Sequence, residues 1–212
     1  MNAMLSTALP LPTCLERPDR TIDHRRHRIG RIELTDVAVD RFNRLLDSVG
    51  WTRPPLDCDR LVTAARELCS ACSNGIAPAC IRQRMRRVKA AVTMLGDGRW
   101  QPSGEARVVI QLVAHYVNAH DDLIPDTEPG YGRLDDAIVL EAAWPRIAED
   151  VVAYVDFRRL GRLSTAPGAE RARFDRAAWM QARLDEAALR ALQRQIRATS
   201  YVSAGPAVFR VH

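Results

Sequence analysis

Six acidic residues fall between positions 121 and 136, on both sides of a turn that contains proline and glycine. Carboxylate oxygens are the ligands that Mg²⁺ and Ca²⁺ prefer in proteins, so this segment is a candidate divalent-cation site. The candidate ligands, which we call the acidic motif, are Asp122, Asp126, Asp135 and Asp136. The acids do not alternate regularly as they do in an EF-hand loop, which excludes that calcium-binding module.

The acidic motif also has a structural explanation that needs no cation. Asp135 and Asp136 stand where an apolar helical pattern begins, and carboxylates at a helix start accept hydrogen bonds from free backbone N–H groups. Gly130 and Gly132 permit a tight turn, and Pro125 stiffens the approach to it. We favour this structural role and keep a bound divalent cation as the alternative.

The residues around the turn resemble the YkvA-like family of small bacterial helical domains, a family of unknown function. The resemblance rests on Tyr116 in an apolar helix, on Asp122-Leu-Ile-Pro-Asp126, and on Gly132-Arg-Leu-Asp-Asp136 ahead of a second apolar helix. It covers about residues 106–160. Many members have Ser-Pro before the first aspartate, where this chain has Ala119-His120-Asp121. The resemblance implies a helical hairpin around a fixed turn, and it implies no reaction.

Two histidines near the acidic motif raise the hypothesis of a metal-dependent phosphoester hydrolase. His115 and His120 are five residues apart, a spacing that does not place both imidazoles on one helix face. The chain contains no glycine-rich phosphate loop and no Gly-x-Ser-x-Gly elbow. We therefore assign no catalytic residue, and the hydrolase stays an alternative to a protein without enzymatic activity.

Four cysteines could supply a zinc site. They are Cys58, Cys69, Cys72 and Cys80. Cys69-x-x-Cys72 has the spacing of a typical zinc half-site, but the other two cysteines lack it. Buried thiols that pack as small apolar side chains are the competing interpretation, and we favour it.

Charge is strongly segregated along the chain, which has a net charge of +5. Residues 119–157 contain ten acids and two arginines, so the rest of the chain is strongly basic. The densest group of cations is predicted to form a basic surface made of Arg82, Arg84, Arg86, Arg87 and Lys89. Nucleic-acid phosphates are one partner for such a surface. We favour solvation of these cations, or their pairing with acids of residues 119–157 inside the fold.

Helical periodicity recurs along most of the chain and predicts an all-α fold, a compact multi-helix bundle with the acidic turn between two core helices. The predicted segments are a flexible basic leader (1–33), an N-terminal helical section (34–100), the YkvA-like hairpin (101–162) and a C-terminal amphipathic helix with its tail (163–212). Residues 34–200 are expected to fold as one unit.

No run of apolar residues approaches the roughly 18 that a membrane-spanning helix needs. Together with a poor match to a signal peptide, this predicts a cytoplasmic protein. The function that we favour from the sequence is a non-enzymatic interaction or regulatory module that presents opposed acidic and basic surfaces to a protein partner. The residues do not indicate an oligomeric state.

Overall fold

The computed structural model describes residues 9–16, 26–71, 77–119, 122–164 and 174–200. Six α-helices account for most of these residues, which confirms the predicted all-α fold class. The helices are α1 (Asp36–Val49), α2 (Cys58–Ala71), α3 (Ala79–Leu95), α4 (Gly104–Val117), α5 (Leu134–Ser164) and α6 (Arg176–Ser200). Within the described ranges, no helix combines the length and the apolar character needed to cross a membrane.

The chain divides into two compact units, Met1–Val155 and Asp156–His212. The boundary lies inside α5, and not after residue 162 where the sequence pattern placed the last segment. In the first unit α3 packs against α4, and α1 also contacts α4. The acidic turn joins α4 to α5, as the helical pattern predicts.

Local sequence signals explain where the helices of the first unit begin and end. The hydroxyl of Thr35 accepts a hydrogen bond from the N–H of Ala38, and Ser103 does the same for Ala106. These hydroxyls satisfy backbone donors that have no partner inside the helix. Gly50 ends α1 with a φ of 114°, a left-handed conformation that glycine adopts without steric cost.

Parts of the segment predicted to be a flexible leader contribute to the core, within residues 9–16 and 26–33. Leu11, Leu15 and Ile29 are buried. A 3-10 turn, Thr13–Leu15, packs against α2. A short antiparallel hairpin pairs β1 (Arg28–Ile29) with β2 (Ile32–Glu33). Two-residue strands are too short for an alternation pattern to reveal them in the sequence.

Candidate functional site

Asp135 is the central acceptor of the acidic turn. Its Oδ2 accepts a hydrogen bond from the Tyr116 hydroxyl at 2.7 Å and another from the N–H of Ile124 at 3.0 Å. The Tyr116 hydroxyl oxygen in turn accepts from the N–H of Leu123 at 3.3 Å. Asp135 is 1% exposed, so these bonds lie out of water and tie the turn to the end of α4. These contacts are the ones that a structural role requires, and they cross the turn rather than stay at the start of α5.

The backbone of the turn explains why glycine is needed there. Gly130 has a φ of 88°, and Arg133 adopts a φ of 68°, which is uncommon for a residue with a side chain. A Cβ on Gly132 would lie 2.5 Å from the backbone oxygen of Asp126 and 2.6 Å from that of Glu128. The turn is therefore too tight at residue 132 for any side chain.

Asp136 is buried in the same place but lacks the hydrogen bonds of Asp135. It is 1% exposed, and neither of its carboxylate oxygens has a hydrogen-bond partner. Its closest cation is the Arg133 guanidinium, with Nη1 3.9 Å from Oδ2. The expectation that Asp136 caps the start of α5 is therefore wrong. Asp135 and Asp136 are adjacent along the chain, and the Tyr116 hydroxyl can donate its hydrogen bond to only one of the two carboxylates.

The pKa values of both carboxyls reflect this environment. Burial, followed by the charges of Asp135, Asp126 and Asp122, raises the pKa of Asp136 to about 8. Burial raises the pKa of Asp135 to about 6, although the Tyr116 hydroxyl and backbone N–H groups oppose the rise. Burial and the charge of Asp135 raise the pKa of the Tyr116 hydroxyl well above its ordinary value. The site therefore retains protons that exposed carboxyls would release.

The other two members of the acidic motif are partly exposed. Asp126 Oδ2 accepts a hydrogen bond from Arg133 Nη2 at 2.5 Å. Asp122 lines a groove of about 440 Å³ that also contacts Tyr116, Phe42 and His115. The His115 side chain is exposed at the end of α4. His120, which the hydrolase hypothesis also invoked, lies outside the described residues, as does Asp121.

The acidic motif does not form a preassembled cation site in the described parts of the chain. No three of its residues bring ligand atoms within 4.8 Å of one another. One group of residues does meet that distance, and it contains His27, Asp36 and Cys58. The sequence gives no signal for this group, because its three members are widely spaced and do not follow a metal-binding motif.

The hypothesis of one four-thiolate zinc site is wrong. Cys58 and Cys69 lie on the same helix, α2, and eleven residues of helix separate them by about 16 Å. Two thiolates on one zinc ion lie about 4 Å apart, given Zn–S bonds of about 2.3 Å. Cys69 is exposed whereas Cys80 on α3 is buried, and Cys72 lies outside the described residues.

The predicted basic surface needs correction at two of its five residues. Arg84 is 2% exposed, and two of its nitrogens donate to Glu141 Oε2 at 2.8 and 3.0 Å. Its Nη1 donates to the backbone oxygens of Leu9 and Cys80. Arg87 is also buried, with its guanidinium 4.4 Å from the centre of the Trp144 ring. Glu141 belongs to the acidic segment 119–157, so the predicted internal pairing is confirmed for Arg84.

Three cations of that set remain on the surface of α3. They are Arg82, Arg86 and Lys89, and all three are exposed. Helix geometry explains why these three are exposed and the other two are buried. Arg84 and Arg87 are three residues apart, so they share the buried face of α3. Three exposed cations offer fewer phosphate contacts than the nucleic-acid hypothesis assumed.

No protein-family model, curated protein or solved structure matches this chain. The resemblance to the YkvA-like family therefore stays a prediction that rests on the residues of the turn.

Proposed function

We propose that this protein is a non-enzymatic interaction module that docks a protein partner on the apolar face of α6. The observation that supports the proposal is a set of five large apolar side chains, each 52 to 63% exposed. They are Met180, Leu184, Leu189, Leu192 and Ile196, and we call them the α6 face. Their spacing places them on roughly half of the helix circumference.

The opposite side of α6 is already occupied by contacts within the second unit. Trp179 Nε1 donates to Asp156 Oδ2 at 3.0 Å, and Arg183 lies 3.5 Å from the same oxygen. Glu186 pairs with Arg159 at 3.4 Å and with Arg190 at 2.9 Å. The helix therefore uses its polar side for internal ion pairs and leaves apolar side chains exposed, the reverse of an ordinary surface helix.

Charge indicates what kind of partner fits the α6 face. The helix contains five arginines and two acids, a net charge of +3. Two copies of this helix would repel each other, which disfavours self-association through this face. The α6 face has no aromatic side chain of the kind that anchors a helix in a membrane interface, since Trp179 lies on the polar side. We infer a partner that presents an apolar groove edged by carboxylates.

In this proposal the acidic motif is not the exposed acidic surface that the sequence predicted. Asp135 and Asp136 are buried, so they are not accessible to a partner. They serve the turn between α4 and α5, and the basic side of the interaction lies on α6.

Site-specific photo-crosslinking in the native host tests the proposal. A photoreactive amino acid replaces Leu192 in one variant and Arg194, an exposed residue on the polar side, in a matched control. We expect a specific protein adduct from position 192 and not from position 194. The partner, once identified and purified, should bind the full-length chain in a salt-sensitive manner, and the L184D/L192D double variant should not bind. Gln193→Asp, which adds a carboxylate outside the α6 face, should bind normally.

Three other outcomes would overturn the proposal. A dimer in sedimentation that L184D/L192D abolishes would assign the face to self-association. Binding to anionic phospholipid vesicles that depends on the same two leucines would assign it to a membrane surface. Equal binding of the purified partner by wild type and L184D/L192D would place the interaction elsewhere.

A second candidate function is divalent-cation binding at the acidic motif, and the observation that favours it is the buried carboxylate of Asp136, which accepts no hydrogen bond. An ion there would stabilise the ionised form of Asp136, which burial disfavours and which Arg133 meets only at 3.9 Å. The test is thermal unfolding of chelator-treated protein with and without Mg²⁺, Ca²⁺ or Mn²⁺. A saturable rise in Tm that is lost in Asp136→Asn but kept in Cys58→Ser would support it, and an unchanged Tm would exclude it. Phosphoester hydrolysis involving His115 would then be the activity to assay.

A further inference from the structure

Three side chains of different chemical type meet at the start of the helical core, away from the acidic turn. Asp36 Oδ1 lies 4.0 Å from His27 Nδ1 and 3.5 Å from Cys58 Sγ. All three potential ligand atoms lie within 4.8 Å of one another. The Cys58 thiol is buried, His27 is partly exposed, and Asp36 is exposed, so the group opens to solvent on one side.

Separate elements hold the three residues in place. The β1–β2 hairpin is closed by a hydrogen bond of 2.7 Å from the N–H of Leu34 to the backbone oxygen of His27. Asp36 is the first residue of α1, two positions after Leu34, and Cys58 is the first residue of α2. The Cys58 sulfur also lies 3.8 Å from the Leu34 backbone oxygen. The hairpin and the two helix starts therefore converge on Leu34 and keep the three side chains together.

We propose that His27, Asp36 and Cys58 form a binding site for Zn²⁺. The distances fit a tetrahedral ion, because Zn–S, Zn–O and Zn–N bonds of about 2.3, 2.1 and 2.0 Å require S···O and N···O separations of about 3.6 and 3.4 Å. The observed S···O distance of 3.5 Å agrees with this geometry, and the N···O distance of 4.0 Å is about 0.6 Å longer than it requires.

The ligand types favour zinc over the cations expected at the acidic motif. Thiolate and imidazole are poor ligands for Mg²⁺ and Ca²⁺ but good ligands for Zn²⁺. Neutral His27 with two anions, Asp36 and the Cys58 thiolate, balances the charge of the ion. In the metal-free protein the thiol keeps its proton, because burial and then Asp36 raise its pKa to about 11. Binding therefore replaces the S–H bond of Cys58 with a Zn–S bond and releases one proton to solvent.

Two neighbouring acids in the described part of the chain, Asp57 and Asp59, are engaged by other residues. Asp57 accepts a hydrogen bond from the N–H of Arg60 and pairs with its guanidinium. Asp59 pairs with Arg26 at 3.5 Å. His27, Asp36 and Cys58 are therefore separate from the ion pairs that Asp57 and Asp59 form near the start of α2.

Metal titration of the tag-free, chelator-treated full-length protein tests the site. We expect one Zn²⁺ per chain in competition with a coloured chelator, and a thiolate-to-metal charge-transfer band when Co²⁺ is bound instead. Cys58→Ser should abolish the band, and His27→Gln should weaken metal affinity by at least about tenfold. His27 is partly exposed, so the second variant remains informative if Cys58→Ser folds poorly.

Matched controls separate this site from other metal binding by the chain. Cys69→Ser removes an exposed thiol elsewhere on α2, and Asp136→Asn alters the acidic motif; both should keep the band and the affinity. The absence of a charge-transfer band in wild type would overturn the proposal. A band that persists in Cys58→Ser, or one that disappears in Cys69→Ser, would also overturn it.

Discussion

Tyr116 and Asp135 are joined by a hydrogen bond of 2.7 Å that links the end of α4 to the start of α5 across the acidic turn. This bond matters for the stability of the fold because Asp135 is buried. A buried carboxylate that loses its hydrogen-bond donor has no water to replace it. The same hydroxyl oxygen accepts from the Leu123 N–H, so a single phenol serves both sides of the turn.

Tyr116→Phe should therefore destabilise the protein. The change removes the donor to Asp135 and the acceptor for the Leu123 N–H while keeping the aromatic ring. We expect a loss of about 1 to 3 kcal/mol in the free energy of unfolding, measured by urea denaturation. Tyr131→Phe is the matched control, because its hydroxyl donates to the partly exposed Glu128 and its loss should cost less. Equal losses in the two variants would contradict the importance of burial.

The stability of the protein should fall as pH rises across the neutral range. The pKa of Asp136 in the folded protein is about 8, above the ordinary 3.8, so the folded state binds this proton more tightly than the unfolded state. The contribution of Asp136 to stability is therefore fully present below the unfolded pKa and is lost as pH rises to about 8, by an amount of the order of a few kcal/mol. Asp135, with a pKa of about 6, contributes in the same direction.

Thermal unfolding with a chelator present, at a series of pH values, measures this effect. Asp136→Asn should flatten the dependence of Tm on pH and leave the smaller part that Asp135 contributes. Parallel curves for wild type and variant would show that Asp136 does not carry the effect.

Arg84 and Arg82 should differ sharply despite being two residues apart on α3. Arg84→Ala leaves Glu141 and two backbone oxygens without their donor, and we expect a loss of about 3 to 5 kcal/mol. Arg82→Ala removes an exposed cation and should change stability by no more than about 0.5 kcal/mol. Chemical denaturation of both variants provides the measurement, and similar values would refute the assignment of Arg84 to the interior.

Gly132→Ala should distort the acidic turn. The added Cβ would lie 2.5 Å from a backbone oxygen, and backbone cannot move aside as a flexible side chain can. We expect a loss of about 1 to 3 kcal/mol in calorimetry or denaturant unfolding. Gly98→Ala is the control, since a Cβ there meets no atom within 4 Å. An unchanged stability for Gly132→Ala would mean that the turn is looser than its geometry indicates.

Local features of the sequence were sufficient to predict the helices. Thr35 and Gly50 bracket α1, and the apolar periodicity marks the other helices, because caps and helical spacing depend on neighbours within a few residues. The position of the acidic turn between α4 and α5 follows for the same reason. The contacts of the leader could not be predicted in this way because they are made with α2, as in the hydrogen bond from the Cys14 thiol to the backbone oxygen of Arg60, 46 positions away.

The sequence by itself determined the all-α class and the place of the tight turn between two helices, because each depends on local backbone preferences and on the spacing of apolar residues. Only the tertiary structure decided which arginines of α3 are buried. It likewise decided that the Asp135 carboxylate accepts hydrogen bonds while the Asp136 carboxylate accepts none. It also decided that His27, Asp36 and Cys58 meet. These properties depend on contacts between residues distant along the chain, whose energies reflect burial and charge in the folded state rather than any local pattern.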